Sequence, residues 1–409
     1  MTVLQRVMGA TAIVLLFACQ GWAGTTLEFP SYQATEPGFA DWWKEGIARF
    51  ESQHPDVRIQ ISQVQFDAHH DKIATRFAAG NPPDIVHVSS RFYFGLAARG
   101  LLEPLDPFLA KDNVLKDWAP LQKTMVVNGK TYGVLLLTYA YALYYNEQMF
   151  KDAGVSPPRT MDELREAAKR LTAAPGRYGI SMVTAPSTDM YMEITRFLAG
   201  LGGDWTPQGK LAVNSPEAVQ ALNFYRDLVQ AGYAPRNQLA AATRLLFFSG
   251  KTAMIIDGSW VLAMKANAHD AVKPYVKVVL PPFKKIPTGQ SNSISMPTTL
   301  DPAKKQLVWD FIKILTSPEM QRKYSELVKS PAPLKGSVTP DTVAKIPELD
   351  TFAKAMSLGE VSVFPTGYER HFDQMSKILI DGFTEALSST RDSKAILDEA
   401  QKKIDAALK

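Results

Sequence analysis

Apolar and polar positions recur along this chain with two different periods, which predicts strands and helices in alternation. Leu27–Ser31 and the alternating residues Val57, Ile59 and Ile61 are typical of strands. Phe39–Phe50 has the 3.6-residue spacing of an amphipathic helix. The apolar face of that helix comprises Trp43, Ile47 and Phe50. A chain in which strands and helices alternate in this way favours an α/β architecture.

The same criteria predict the remaining elements. Helices are expected at Ala68–Ala79, from Thr160 to about Ala173, from Pro216 onward, and at Leu239–Phe248, Pro302–Leu315, Pro318–Val328 and Ser393–Leu408. Strands are expected at Asp84–Val88, Ala142–Tyr145, Ala253–Asp257, Val276–Leu280 and Ile294–Met296, with a polar loop over Thr288–Ser293. Asn128-Gly129 predicts a type I′ hairpin turn, and Thr160 with Glu163 forms a capping box.

Gly250-Lys251-Thr252 matches the end of a phosphate-binding P-loop, but the surrounding residues exclude that interpretation. A P-loop needs a glycine five residues before Gly250, and that position is Leu245. A P-loop also runs from strand to helix, whereas here a helix precedes the turn and a buried strand follows it. Gly258-Ser259-Trp260 then opens another helix. This order places an aromatic ring at the carboxyl end of a strand.

Length and composition indicate a globular protein of two or three domains. The chain has 409 residues, of which 46% are hydrophobic and 21% charged, with a net charge of +4. Acidic and basic residues are interspersed, so we expect no nucleic-acid partner.

The first 23 residues have the pattern of a signal peptide. Arg6 supplies the positive charge and Val7–Ala18 the apolar segment, and small residues favour cleavage before Gly24. Lipidation at Cys19 is the competing interpretation, and a retained anchor is a third. Cys19 is the only cysteine, so the cleaved chain would hold no disulfide, thiolate metal site or cysteine nucleophile. The sequence therefore predicts an exported, periplasmic protein.

Five sequence blocks resemble those of the extracellular solute-binding proteins of bacterial ABC importers, the group that contains maltose-binding protein. The blocks are Ala79–Ile85, Gly100–Leu105, Tyr144–Val155, Pro157–Leu164 and Phe247–Trp260, and Met161 stands where the family has tryptophan in the fourth. They follow one another in the family's order behind an export signal, and the resemblance covers essentially the whole cleaved chain.

The resemblance implies two α/β lobes with a ligand cleft between them, at the carboxyl ends of strands. It places one lobe at 24–136 plus 290–335 and the other at 137–289 plus 336–409. It implies a periplasmic protein, a monomer, that captures a small molecule and passes it to the transmembrane subunits of an ABC permease. It implies no cofactor, no metal and no catalysis.

A sugar site needs aromatic rings for stacking and polar side chains for directed hydrogen bonds. Trp260 is the first candidate, since the tryptophan of the family's corresponding block stacks on sugar; the alternative is a core residue. Ser89, Ser90 and Arg91 follow the strand Asp84–Val88. Maltose-binding proteins have a sugar-contacting acidic residue where this chain has Arg91. Arg91 is therefore an anion clamp, a hydroxyl donor, an ordinary surface residue or part of an ion pair at the start of a helix.

Other candidates follow from their positions in the chain. They are Thr35 and Glu36 after the first strand, Tyr139 near the first crossover between lobes, Asp189 at a helix start, Asn292 near the second crossover, and Tyr368 before a long helix. Each candidate also has a structural explanation. Glu36 could simply neighbour a helix N-cap, and one of Ser187, Thr188 and Asp189 could be an N-cap. Asn292 could be a solvated loop residue, and the two tyrosines could be packing residues.

Two clusters suggest metal binding, and in each another interpretation is favoured. Tyr144 and Tyr145 resemble the paired tyrosines of ferric-ion binders, but adjacent strand residues point to opposite faces. His69-His70-Asp71 begins an apparently amphipathic helix, and we expect it to be a solvated face.

Three functional hypotheses remain. The first is capture of a sugar or polyol for an ABC importer. The second keeps the fold but binds an anionic polyol phosphate or sugar acid through Arg91. The third is a secreted carbohydrate-active enzyme, for which the sequence offers no G-x-S-x-G and no H-E-x-x-H motif.

Overall fold

The structure is a computed structural model that describes residues 24–138, 140–172, 176–287 and 291–408. The predicted signal peptide with Cys19, and the candidate Tyr139, lie outside the described residues. Strands and helices alternate over the described ranges, as expected of an α/β fold. None of the described helices combines the length and apolar character needed to cross a membrane.

The described strands are β1 (Thr25–Ser31), β2 (Val57–Gln63), β3 (Val86–Ser89), β4 (Val126–Val127), β5 (Lys130–Thr131), β6 (Val134–Thr138), β7 (Tyr141–Asn146), β8 (Tyr178–Ser181), β9 (Thr252–Gly258), β10 (Val276–Val279), β11 (Ile286–Pro287), β12 (Ser291–Ser295) and β13 (Gly359–Val361).

The described α-helices are α1 (Phe39–Gln53), α2 (Phe66–Ala78), α3 (Ser90–Ala98), α4 (Asp106–Asp112), α5 (Glu147–Ala153), α6 (Met161–Leu171), α7 (Thr188–Gly200), α8 (Pro216–Gln230), α9 (Ala240–Phe248), α10 (Pro302–Leu315), α11 (Pro318–Val328), α12 (Pro340–Lys345), α13 (Glu348–Ser357), α14 (Phe372–Ser388) and α15 (Ser393–Ala407). Short 3₁₀ turns lie between several of them, including Ser259–Asn267 and Glu369–His371.

The first lobe is built on β1, β2, β3, β6 and β12. β1 and β2 are parallel, and β12 pairs antiparallel with β3 on one side and β6 on the other. The Ile85 amide donates to the Glu28 carbonyl at 3.0 Å, which places β1 beside β3. Helices α1, α10 and α11 cover this group, and the Trp42 indole donates to the Met320 carbonyl at 2.8 Å. Trp43 and Phe50 are buried as predicted, while Ile47 is half-buried and Trp42 adds to the core.

The second lobe is built on a four-stranded sheet in the order β10-β7-β9-β8. β8 and β9 are parallel, whereas β7 is antiparallel to β9 and to β10. Every residue of β9 is buried, as its continuous apolar sequence predicts. The chain passes between the two sheets where β6 gives way to β7 and again where β11 gives way to β12. These two connections, with a third between α11 and α12, join the lobes.

Local sequence signals account for several boundaries. Helices α10 and α11 begin and end at the predicted residues, and the Asp301 and Ser317 side chains cap them by accepting from the amides of Ala303 and Met320. Asn128 and Gly129 have φ of 49° and 75°, which a type I′ turn requires of both central residues. Helix α9, a turn and then β9 flank Gly250 in that order, so the exclusion of a P-loop is confirmed.

The polar loop predicted over Thr288–Ser293 is wrong in its second half. β12 begins at Ser291, and Asn292 is only 2% exposed between β3 and β6. Its serine-rich sequence has no apolar alternation to reveal a strand. Partner strands on both sides supply the backbone hydrogen bonds that make the segment a central strand.

The solvated face predicted at His69-His70-Asp71 is also wrong for the two histidines. His69 is 0% and His70 3% exposed, and only Asp71 is exposed. The first turn of α2 packs against the ends of β1 and β3, so polar rings that resemble surface residues in sequence lie in the interior. Among the described residues, no group of three or more histidine, cysteine, aspartate or glutamate side chains has the arrangement to hold a metal ion.

Candidate functional site

A cavity of about 510 Å³ lies between the two lobes. Ser90, Phe94 and Ser291 line it from the first lobe, and Phe364 and Arg370 line it from the second. The rings of Phe94 and Phe364 meet across the gap edge to face, with centroids 6.1 Å apart. This volume is within the range of small-molecule sites, which bury most of their ligand.

A second cavity of about 300 Å³ extends the first toward the crossovers between lobes. Leu121, Thr124, Ser362 and Thr366 line both spaces. Ala140 and Pro287, which adjoin the two crossovers, line the second one. The two cavities are therefore neighbouring parts of one interlobe cleft.

Ser90 forms part of the first-lobe wall, Ser89 precedes it as a buried residue, and both are already hydrogen-bonded within the fold. The Ser89 hydroxyl lies 3.3 Å from His70 Nε2, and the Ser89 amide donates to the same nitrogen at 3.3 Å. The Ser90 hydroxyl accepts from the Ser291 amide at 3.3 Å and lines the cavity. Arg91 continues the wall at the start of α3, but its side chain lies outside the described part of the chain.

Beneath that wall lies a cluster of buried histidines. The His69 Nε2 is 2.6 Å from the His87 carbonyl, and the His87 Nδ1 is 3.0 Å from the Ser31 hydroxyl. The ring of Tyr32 stacks on His87 with centroids 5.0 Å apart. Burial lowers the pKa of both His69 and His87, because an apolar environment disfavours the charged ring. The first-lobe wall thus rests on neutral imidazoles.

Thr35 and Glu36 lie in the loop between β1 and α1, and neither lines the interlobe cavity. The Thr35 amide donates to the Gln63 side chain at 3.0 Å. Burial raises the pKa of Glu36 to about 7. The N-cap position of α1 is held by Gly38 rather than by Glu36.

Asn292 lies opposite Ser89 in the sheet, so it is close to the wall but below its surface.

Trp260 stands where the sequence predicts it, one turn beyond the carboxyl end of β9. Its half-buried ring meets Tyr141 edge to face, with centroids 5.9 Å apart. The indole also folds back over Gly258, where an added Cβ would come within 1.8 Å of it. Glycine at position 258 therefore makes room for this ring position. Part of the ring belongs to the packed interior, and the remainder borders a small cavity.

That small cavity, of about 30 Å³, is surrounded by charged side chains of the second lobe. The Arg244 guanidinium pairs with the buried Asp257 carboxylate at 2.7 Å and lies 5.8 Å from the Trp260 ring. Arg196 is 7% exposed and stacks over the Tyr141 ring at 4.4 Å. Asp189 is exposed and borders the same space. Asp257 is the penultimate residue of β9, which is parallel to β8, and α/β proteins bind ligands at the carboxyl ends of such strands.

Glu193 completes this charged group from the same helix as Arg196. Its Oε2 accepts from the Val183 amide at 2.6 Å and from the Tyr225 hydroxyl at 3.3 Å. Burial raises the pKa of Glu193 to about 7, while the Arg196 charge opposes the shift. Burial therefore favours the uncharged form of this carboxyl group.

Sequence reasoning missed Arg196, Glu193 and Arg244. A usable signal was present in α7, where every residue from Met190 to Gly200 is buried although two of them are charged. A buried charge requires a compensating partner or a function. The sequence shows two charges in an apolar helix, but burial on all sides becomes apparent only when the helices around α7 are in place.

The remaining candidates have mixed outcomes. Ser187 is the N-cap of α7 and accepts from the Met190 amide, which leaves Asp189 available at the cavity. Tyr368 is half-buried against the core, and its neighbours Gly367 and Glu369 line the interlobe cavity while Tyr368 does not.

Tyr144 and Tyr145 do point to opposite faces. Tyr144 is buried with its hydroxyl donating to the Gly258 carbonyl at 2.8 Å, and Tyr145 packs on Phe150.

Comparison with known proteins places this cleft in a family. The family model described as bacterial extracellular solute-binding protein matches residues 35–322. A protein of Brucella abortus (strain 2308), named only as a binding protein, is 22% identical over 381 residues, which cover 90% of each chain.

Two solved structures share the fold. A solute-binding protein of Thermotoga lettingae TMO bound with α-D-tagatose superposes with a TM-score of 0.82 at 23% identity, covering 94% of this chain and 100% of that one. UgpB of Mycobacterium tuberculosis in complex with glycerophosphocholine superposes with a TM-score of 0.81 at 21% identity, covering 94% and 98%.

Proposed function

The chain belongs to the bacterial extracellular solute-binding proteins, and on that premise we propose that it captures a sugar or polyol for an ABC importer. The ligand binds in the interlobe cleft, the lobes close on it, and the closed form delivers it to the permease. The observation that carries this proposal is the cavity of about 510 Å³ to which both lobes contribute. A ligand held there contacts both lobes at once, so its binding favours the closed arrangement.

The lobes proposed to move comprise residues 24–136 with 290–335 and residues 137–289 with 336–409. The crossover between β6 and β7 and the crossover between β11 and β12 fall beside these bounds. The Ser259 and Ser330 hydroxyls, 2.5 Å apart, lie in different proposed lobes. This buried contact is a pivot around which the two bodies turn.

The proposed ligand wall in the second lobe is Trp260, with Asp189 at its edge; both border the small cavity of about 30 Å³ and not the cavity of about 510 Å³, so lobe closure is proposed to join the two spaces. The proposed wall in the first lobe is Ser90, supported by Ser89 and Asn292, with Arg91 extending it. Tyr139, Tyr368, Thr35 and Glu36 are proposed as peripheral contacts that the closed form brings nearer. Binding without reaction is proposed, because the family's members are named as binding proteins.

The ligand class is supported by what related structures hold. The Thermotoga relative is bound with a sugar. The Mycobacterium relative is bound with glycerophosphocholine, a zwitterion that carries a phosphodiester. On that phosphate group we keep the second candidate, an anionic polyol phosphate or sugar acid held through Arg91. The polar and aromatic composition of the cleft suits either class.

A thermal-shift screen of the chain starting at Gly24 tests the proposal. The panel contains neutral sugars, polyols, sugar acids and polyol phosphates. A ligand present at 100 times its Kd adds about 2.7 kcal/mol to the free energy of unfolding. A shift with neutral ligands supports the first candidate, a shift only with anions supports the second, and turnover of any sugar establishes an enzyme instead. No shift with any member contradicts both binding candidates.

Export and anchoring form a separate proposal. The signal peptide is removed before Gly24 and the protein works as a periplasmic monomer, with lipidation at Cys19 as the alternative. Mass spectrometry of the exported chain distinguishes the two, because a lipidated chain would begin at Cys19 and carry the added mass of its acyl groups.

A further inference from the structure

The hairpin turn Asn128-Gly129 lies at the rim of the interlobe cavity and has no role in the proposed function. Both residues are exposed, with φ of 49° and 75°. The structure records no hydrogen bond from the Asn128 carboxamide or the Gly129 amide to another described residue. A Cβ built on Gly129 would meet no atom within 4 Å, so the space around this amide is open. Two groups that can react with each other are therefore adjacent and accessible to water.

The reaction open to them is closure of a five-membered ring. The Gly129 nitrogen attacks the side-chain carbonyl carbon of Asn128 and forms a new C–N bond. The carboxamide C–N bond breaks, and ammonia leaves with the proton of the Gly129 amide. Water then adds to one of the two carbonyl carbons of this succinimide and opens it. One opening yields an aspartate, and the other yields an isoaspartyl link in which the main chain runs through the side chain. Water is the only co-reactant.

The glycine and the short hairpin favour this ring closure at position 128. Glycine has no Cβ to crowd the approaching carboxamide, and no other asparagine of the chain precedes glycine. The strands β4 and β5 have two residues each. Few backbone contacts therefore hold the turn, so it opens locally at low cost and allows the Asn128 side chain to reach the amide.

The products change the wall of the cavity in two ways. Two cations, Lys123 and Arg370, and one anion, Glu369, line the cavity together with Asn128. A new carboxylate at position 128 therefore cancels the net positive charge of the lining. An isoaspartyl link adds one carbon to the main chain of a two-residue turn, and turn length fixes the register of a hairpin. Since Val126 of β4 also lines the cavity, a change of register alters the shape of the wall.

We propose that Asn128 is a site of spontaneous deamidation, which converts a neutral residue of the cleft wall into an acidic or isoaspartyl one as the protein ages. The modification itself depends only on the turn. Its effect on ligand capture rests on the proposed function: aged molecules bind their ligand less tightly, because the cavity has lost its net charge and the hairpin its register. The turn thereby limits the working lifetime of the cleft.

Peptide mapping by mass spectrometry tests the modification. The chain from Gly24 is incubated at mildly alkaline pH, which promotes attack by the amide nitrogen, and is digested with trypsin at intervals. Cleavage after lysine places Asn128 in the peptide Thr124–Lys130 and Asn113 in Asp112–Lys116. Asn113 is the matched control, because it is also exposed, with φ of 45°, but precedes a β-branched valine. Conversion should be at least about 10-fold faster at Asn128, which corresponds to about 1.4 kcal/mol in barrier height.

Thermal-shift titration of fresh and aged protein tests the effect on the cleft. The probes are tagatose, sorbitol, gluconate and glycerol 3-phosphate. Fully converted wild type should bind about 3- to 10-fold more weakly than fresh wild type whichever of these the fresh protein binds. Asn128→Gly removes the carboxamide and leaves a glycine pair, which a type I′ turn accepts. This variant should have the same affinity before and after ageing.

The outcomes separate the modification from the proposed function. Conversion at Asn128 that is no faster than at Asn113 overturns the modification site. Conversion without loss of affinity, or an equal loss in aged Asn128→Gly, overturns the effect on the cleft and leaves the modification site in place. A fresh wild type that binds none of the probes and no member of the wider screen contradicts the proposed function and with it the effect on the cleft. The mapped peptides still decide the modification in that case.

Discussion

The two walls of the cleft are built from different chemistry. The first-lobe wall presents serine hydroxyls and amides above a cluster of buried histidines, and burial lowers the pKa of His69 and His87 in that cluster. The proposed second-lobe wall is the Trp260 ring with arginines and carboxylates around it, and it borders the small cavity of that lobe. In the first wall each serine hydroxyl has a partner from its own fold. The second wall retains a guanidinium that lacks an ionic partner among the described residues. The two sides of the cleft therefore differ in how their polar groups are satisfied, within the fold in the first lobe and only partly so in the second.

The largest expected effect comes from removing the aromatic face of the second wall. Trp260→Ala should weaken ligand binding by roughly 1,000-fold, about 4 kcal/mol, because a large anchoring ring carries much of the contact energy of such sites. Titration with the ligand found by screening measures it, and Trp260→Phe, which keeps a ring, should retain part of the affinity. A large fall in the apo melting temperature of Trp260→Ala, with little loss of affinity, would instead mean that the ring is core.

The two walls should respond to pH in opposite directions. The pKa of Glu193 is raised by burial from its ordinary 4.5 to about 7, so the folded protein holds a proton that the unfolded chain has released. Stability from this group is present below pH 4.5 and is lost as the pH rises through 7, by about 3 kcal/mol. Chemical denaturation across that range should show a smaller loss in Glu193→Gln than in the wild type, because Glu36, whose pKa burial also raises to about 7, remains in both. Equal pH profiles for the two proteins would contradict it.

The histidines of the first wall have the opposite sign. Burial lowers the pKa of His69, so the unfolded chain takes up a proton first as the pH falls. Stability is intact above pH 6.5, the ordinary pKa of the ring, and declines below it. In His69→Gln the new side-chain amide can still donate to the His87 carbonyl. This variant should lose less stability between pH 7 and pH 5 than the wild type does. A steeper decline in the variant would mean that His69 is charged in the fold.

A third substitution moves the Trp260 ring without removing it. Gly258→Ala places a Cβ within 1.8 Å of the indole, so we expect a loss of stability of about 1–3 kcal/mol, typical of overpacking, and a ring displaced from the cavity. Melting temperature and ligand titration report the two effects. Gly95→Ala, on α3 with no atom within 4 Å of the new Cβ, is the matched control and should be neutral or slightly stabilising.

The smallest effect concerns the tyrosine pair on β7. Tyr144→Phe removes a hydroxyl that donates to the Gly258 carbonyl at 2.8 Å, and should cost about 1 kcal/mol. Ligand affinity should not change, because this buried hydroxyl supports the strand and does not border the cleft. Tyr145→Phe, on the other face, should cost less still. Loss of binding in either variant would assign the pair a role in the site.

Much of the fold followed from local signals. Helices α10 and α11 were predicted to the residue because proline, a capping side chain and a regular apolar stripe coincide in each. The block Phe247–Trp260 located both β9 and the ring that ends it. The strand β12 and the burial of His69 and His70 escaped prediction, because a run of serines and a histidine pair have no local preference that distinguishes interior from surface. In both places neighbouring strands determine the outcome.

The sequence by itself determined the alternation of elements, the family and the position of Trp260 along the chain, because short-range periodicity and contiguous motifs encode them. Only the tertiary structure showed that Arg196, Arg244, Asp257 and Asp189 surround one small cavity beside that ring. These residues come from two helices and a strand separated by up to dozens of positions, and their charges become meaningful only when burial removes the water around them. Burial is a property of the packed lobe: it removes water from Arg196 and Asp257 and from much of Arg244, while Asp189 stays exposed at the cavity.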